Sequence, residues 1–197
     1  MKICIYGASS DSIDNIYFDG VYKLGEALAK RNHTLVFGGG AHGLMGAAVK
    51  SFNNESGNTI GISPKFFDMD DILYKNCDEF IYTETMSERK QLLAQMSDAF
   101  IAVPGGIGTF DEFFEILTLK QLSMHNKPIV IFNINGYFDT LLAFLKETVE
   151  KGFMKEVCLE LFKVCDDCES VIDYIENYND TFPSLEFIKY DKKMWLK

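Results

Sequence analysis

Short apolar runs alternate with longer amphipathic segments along nearly the whole chain, and this alternation restricts the fold more than any other feature. Strand-length apolar runs lie at 2–6, 34–37, 59–62, 79–82, 99–103, 128–133 and 162–165. Helix-length segments lie between and after them, at 16–31, 44–53, 87–97, 110–124, 137–151 and 169–178. The fourth shows its period through Phe110, Phe113, Phe114 and Leu117, the spacing that lines one face of a helix. Strands alternating with helices predict an α/β domain, its mainly parallel sheet covered on both faces through right-handed crossovers. Such sheets bind ligands beyond the carboxyl ends of their strands. At 197 residues the chain suits one domain, set here at 1–180. The periodicity fades near its end, so 181–197, with Trp195 among them, reads as a C-terminal tail.

The formal net charge of −10 argues against a protein that grips nucleic acid, where a basic face is expected. A small anionic ligand needs only local positive potential and remains compatible. No apolar run approaches the roughly 20 residues of a membrane helix. The opening residues form a short strand ending in Gly7 and lack a signal-peptide pattern. The expectation is a cytoplasmic protein with neither nucleic acid nor membrane as partner. Five cysteines occur, at 4, 77, 158, 165 and 168. Cys165 and Cys168 form a C-x-x-C pair, but no second pair completes a zinc site, and the pair lies far from the first βα turn where a redox motif belongs. Reduced structural cysteines are expected, and the scattered histidines 33, 42 and 125 give no metal site.

Two glycine turns follow strands. After the run ending at Val103 comes Pro104-Gly105-Gly106-Ile107-Gly108-Thr109-Phe110-Asp111-Glu112. A glycine turn opening a helix gathers free N–H groups and the positive end of the helix dipole at one point, a receptor for phosphate. Glu112, one turn on, has two readings. It is the last residue of a Thr109-x-x-Glu112 capping box, or it is a carboxylate placed for chemistry beside an anion. Ser87 reads as an N-cap, which puts Arg89 and Lys90 in a first helical turn where cations oppose the dipole by ~0.3–1 kcal/mol each. That local cost marks a receptor for phosphate or developing negative charge, against the plainer reading of a solvated basic pair. Gly38-Gly39-Gly40-Ala41-His42-Gly43 satisfies G-x-G-x-x-G, but it follows the second strand and no acid ends the next one, so a dinucleotide site is not indicated. A close backbone approach to a shared ligand and a tight turn remain the two readings. The Ser9–Ser12 loop lies at the same sheet edge, where it lines a ligand site or caps the next helix.

The 104–112 segment resembles the PGGxGTxxE signature of the LOG proteins, cytokinin riboside 5′-monophosphate phosphoribohydrolases, many of which carry the older label "lysine decarboxylase-like". The resemblance extends over nearly the whole chain through Tyr6-Gly7-Ala8-Ser9-Ser10, Gly38 to Gly46, Met86-Ser87-Glu88-Arg89-Lys90, His125-Asn126-Lys127-Pro128 and Gly136-Tyr137-Phe138-Asp139. It implies a single Rossmann-like, doubly wound domain that forms a homodimer. The implied reaction is hydrolysis of the N-glycosidic bond of a nucleoside monophosphate without a metal or other cofactor. Arg89 and Glu112 fall on the family's catalytic pair. Gly105, Gly106, Ile107, Gly108 and Thr109 fall on its phosphate loop. Lys90, Thr118, Gly39, Gly40 and Asp71 fall on substrate-contacting positions, although Asp71 stands where relatives have glutamate. Asp111 replaces a commoner glutamate, and Ser87 a commoner histidine, which bears on base recognition. The alternatives are a non-catalytic carrier similar to the molybdenum cofactor carrier proteins, a broader purine or pyrimidine nucleotide nucleosidase, and a true lysine decarboxylase.

Overall fold

The computed structural model describes residues 1–68 and 72–179. Asp71 and the tail at 181–197 lie outside the described residues. Seven strands form one sheet: β1 (Lys2–Tyr6), β2 (Thr34–Phe37), β3 (Asn58–Pro64), β4 (Glu79–Thr83), β5 (Ala99–Ala102), β6 (Ile129–Phe132) and β7 (Lys163–Cys165). Six α-helices accompany them among the described residues: α1 (Asn15–Lys30), α2 (Gly43–Asn54), α3 (Met86–Met96), α4 (Ile107–Gln121), α5 (Asp139–Glu150) and α6 (Cys168–Glu176). The strand order is β4-β3-β2-β1-β5-β6-β7, and every neighbouring pair is parallel. The sequence-based assignment of an α/β fold with a parallel sheet covered on both faces is the observed architecture.

Strand alternation explains why the runs are apolar throughout. Ile3 and Ile5 of β1 and Ala99 and Ile101 of β5 enter one core layer with α1, α2 and α6. Cys4, Tyr6, Phe100 and Ala102 enter the other, with Leu93 of α3, Phe113 of α4 and Leu145 of α5. A strand buried on both faces has no polar side to show, so its pattern is a run rather than an alternation.

The chain builds outward from β1 through β4, crosses back, and continues from β5 on the other side of β1. The order therefore reverses between β1 and β5, and connections at such a switch point leave a crevice beyond the strand ends. The loops after β1 and β5 border it. They are joined where the Ala8 N–H donates to Pro104 O at 3.0 Å. Val103 Cγ2 lies 2.4 Å from where a Cβ on Gly7 would stand, so only glycine permits this approach.

All six helix starts differ from the sequence reading by one to three residues, and two of the shifts bear on the site. α3 begins at Met86, not after Ser87: the Thr85 hydroxyl accepts from the Glu88 N–H at 3.1 Å, and Glu88 accepts from the Glu84 N–H at 2.8 Å. α4 begins at Ile107 with Gly106 as N-cap, three residues before the apolar period starts. Gly108 takes helical geometry despite its low propensity, which moves Thr109 and Glu112 inside the helix.

Candidate active site

The loops after β1, β2 and β5 enclose a cleft of about 450 Å³ at the carboxyl edge of the sheet. Its floor is the strand ends at Ile5, Tyr6, Gly7 and Gly38. Gly106, Ile107, Gly108 and Thr109 form one wall, so the unbonded N–H groups of a first helical turn open onto it. Gly105 supports that wall from behind. Its carbonyl accepts from the Tyr137 hydroxyl at 2.6 Å, and Thr109 Oγ1 fills the space a Cβ there would need, at 2.1 Å.

The two glycine turns have different fates. At α2 the Gly43 N–H donates to the Asp11 carboxylate at 2.8 Å, and the Leu44 N–H to Ala8 O at 2.8 Å. The bond from Gly43 holds the Asp11 carboxyl below its ordinary range. The positive end of α2 thus already holds an anion of the protein's own. α4 has no such side-chain cap, so the N–H groups of its first turn stay open toward the cleft. Of the two readings of the Ser9–Ser12 loop, Ser9 lines the cleft, whereas the next helix, α1, is capped by Asp14 and Asp11 caps α2.

Glu112 does not close a capping box. It is the sixth residue of α4, and its Oε1 accepts from Arg89 Nη1 at 2.8 Å. Both side chains are largely buried, at 14% and 11% exposure for Arg89 and Glu112. Burial raises the Glu112 carboxyl above its ordinary range, and the attraction of Arg89 only partly offsets this. Arg89 is fixed further by its Nε, which donates to Ile62 O at 3.3 Å. Gly38 makes room for it, since a Cβ there would stand 1.9 Å from Arg89 Nη2. Beneath the pair, burial pushes the Cys4 thiol up to about 12 and the Tyr6 hydroxyl well above its usual value. Both stay neutral, so Arg89 and Glu112 are the charged groups at this end of the sheet core.

Arg89 and Lys90, read together as a basic pair, part company. Neighbours on a helix point about 100° apart, and only Arg89 lines the cleft. Lys90 turns to α4, where Nζ meets Glu115 at 2.7 Å and Asp111 at 3.0 Å. It touches the site only through Asp111, which does line the cleft. Nor does either cation stand in the first turn, because α3 starts at Met86. Thr118 is exposed and lies about 16 Å along α4 from Ile107 at 1.5 Å per residue, away from the cleft lining. Gly40 lines the cleft. Gly39 turns the backbone at φ 78° against Phe80 and Ser63 instead. Sequence reasoning missed Gly38, Ser63, Tyr137 and the apolar wall of Phe67, Ile72, Leu73 and Met86. Gly38 and Tyr137 sit in segments already noted as motifs and Ser63 in none, and the roles of all three depend on which side chains meet across the fold. The C-x-x-C cysteines are free, and burial raises both thiols, the opposite of a reactive thiolate.

A family model described as "Possible lysine decarboxylase" matches residues 45–175. The Arabidopsis thaliana cytokinin riboside 5′-monophosphate phosphoribohydrolase LOG2 is 34% identical over 177 residues, covering 90% of this chain and 83% of that protein. The rice (Oryza sativa subsp. japonica) probable cytokinin riboside 5′-monophosphate phosphoribohydrolase LOGL9 is 36% identical over 177 residues, covering 90% and 78%. Among solved structures, the molybdenum cofactor binding protein from Rippkaea orientalis superposes with a TM-score of 0.69 at 23% identity, covering 89% of this chain and 94% of that one. The Moco carrier protein from Chlamydomonas reinhardtii gives 0.66 at 24% identity, covering 89% and 94%. The structural likeness shows a shared fold. The sequence likeness reaches further, and on it the chain belongs to the LOG family of cytokinin riboside 5′-monophosphate phosphoribohydrolases.

Proposed function

We propose that this protein hydrolyses the N-glycosidic bond of a nucleoside 5′-monophosphate, AMP or an N6-substituted AMP such as a cytokinin riboside 5′-monophosphate. The observation that carries the reading is the buried Arg89–Glu112 pair in one cleft with an uncapped helix N-terminus. The 5′-phosphate sits on the first turn of α4, held by N–H groups of Ile107, Gly108 and Thr109. Binding energy gained there, remote from the bond broken, positions C1′ over Glu112. As the C1′–N bond breaks, positive charge grows on the ribose and negative charge on the base. Glu112 stabilises the first or activates the attacking water. Arg89 orients the carboxylate and offsets charge on the substrate. Water supplies a hydroxyl to C1′ and a proton to the base, giving free base and ribose 5-phosphate.

Amino-acid decarboxylation fits less well. Pyridoxal phosphate needs a lysine to hold it, and no lysine is among the described residues lining the cleft. The carrier reading draws only on fold likeness at 23–24% identity, which does not extend to function. We further propose a cytoplasmic homodimer. Exposed Ile107 and Phe114 on α4 and Leu122 and Met124 beyond it support an interface, and five free cysteines suit a reducing compartment. Among the described residues no helix is long and apolar enough to cross a membrane. Incubating the pure protein with AMP and N6-isopentenyl-AMP and assaying free base and ribose 5-phosphate tests the activity. Intact nucleotide in both would overturn it.

A further inference from the structure

The cleft holds a polar group that the proposed chemistry does not use. Ser63, the next-to-last residue of β3, is 1% exposed and lines the cleft, yet its hydroxyl has no hydrogen-bond partner. Other buried serines are satisfied: Ser51 donates to Ala48 O at 2.7 Å and Ser97 to Leu93 O at 2.8 Å. An unpaired buried hydroxyl is destabilising, and alanine would fill the same place without that cost. We propose that Ser63 Oγ hydrogen-bonds the base of the bound nucleotide and sets base choice. This assignment rests on the reading of the cleft as a nucleotide site.

Position supports the assignment. The anion wall follows β5, and Ser63 lies at the carboxyl end of β3, three strands away in the order β3-β2-β1-β5. At about 4.8 Å per strand the separation is roughly 14 Å, the scale of an extended nucleotide. Arg89 spans the middle, bonded to Ile62 O on one side and Glu112 on the other. A phosphate on α4 and a ribose over Glu112 therefore direct the base toward β3. There Phe67, Ile72, Leu73 and Met86 offer apolar surface to a flat ring, and Ser63 is the unpaired polar group at its edge. A hydroxyl both donates and accepts, so it can meet a ring nitrogen or an exocyclic amine. Gly39, its neighbour at 3.2 Å from Cβ to Cβ position, leaves no side chain between Ser63 and the loop after β2.

The test measures kcat/KM of wild type and Ser63→Ala on AMP, purine riboside 5′-monophosphate, and the 1-, 3- and 7-deaza analogues of AMP. Affinity for ribose 5-phosphate, which has no base, is measured alongside. The expected result is a loss of about tenfold on AMP, unchanged ribose 5-phosphate affinity, and one analogue that both proteins cleave equally, because it lacks the atom Ser63 contacts. An unchanged rate on AMP, a penalty uniform over all analogues, or weakened ribose 5-phosphate binding would each overturn the assignment. A wild type that cleaves nothing sinks the proposed hydrolysis alone. Binding of AMP against ribose 5-phosphate then decides: Ser63→Ala weakening only AMP supports the assignment, and equal effects, or no binding by wild type, overturn it.

Discussion

Arg89 Nη1 lies 2.8 Å from Glu112 Oε1, and the two residues come from helices that follow different strands, α3 after β4 and α4 after β5. The pair exists only because the chain crosses back over the sheet, so it is a product of topology and not of any local motif. Replacing Glu112 by Gln keeps the shape and an acceptor for Arg89 while removing the charge. Turnover is expected to fall by about 10²–10⁴-fold with nucleotide affinity largely kept. Single-turnover assays with isothermal titration separate the two. Retained turnover would return Glu112 to a structural role.

Gly38 tests the same pair from the other side. A methyl group there would meet Arg89 Nη2 at 1.9 Å, the far end of a flexible side chain that can swing away. Gly38→Ala is therefore expected to fold, with Tm lowered by the loss of the buried Arg89–Glu112 contact. It displaces the guanidinium from Glu112, and catalysis drops about 10²-fold, as misplacement of about 1 Å commonly costs. A variant with full activity would show that Arg89 need not hold its position.

The architecture was largely legible because doubly buried strands leave apolar runs that need no partner to be recognised; β1 and β2 match their predicted bounds. The site was legible in part. Gly106 to Thr109, Arg89, Glu112 and Gly40 converge as expected. Local reasoning failed at Thr109 and Glu112, where the capping-box spacing is present but the helix starts earlier at Ile107. It failed again at Lys90, because adjacency in sequence separates side chains on a helix. Ser63 and Gly38 were invisible as site residues because their roles come from side chains arriving from other strands and helices.

The buried carboxylate makes activity depend on pH in a definite direction. Burial raises the Glu112 pKa above its model-peptide value, and the proposed role needs the ionised form. The acid limb of kcat/KM is therefore expected above the ordinary glutamate range near 4.3. Arg89 partly offsets the rise, so Arg89→Gln should push the limb of residual activity higher still. For stability the sign is reversed. The raised folded-state pKa favours the protonated form, so Glu112 contributes stability below its unfolded pKa and loses that contribution as pH rises through the folded value. A limb at or below the ordinary range in the rate profile would contradict the assignment.

Gly108 separates what the fold needs from what a ligand needs. It lies in the first turn of α4, and no atom is within 4 Å of where its Cβ would stand. Alanine there fits without strain and restricts the unfolded chain, so Gly108→Ala is expected to stabilise the ligand-free protein by about 0.5–1 kcal/mol. That corresponds to roughly 1–4 °C in Tm for a chain of this size. The same open space faces the cleft wall where the phosphate is proposed to bind. A methyl group would hold the anion off the N–H groups, and the loss of one charge-assisted hydrogen bond, about 1.5–3 kcal/mol, weakens binding tenfold or more. Differential scanning calorimetry and titration with ribose 5-phosphate are expected to move in opposite directions, Tm up and affinity down. Glycine would then be kept at 108 for the ligand's approach and not for the helix. If affinity is unchanged while Tm rises, the phosphate does not sit on this turn.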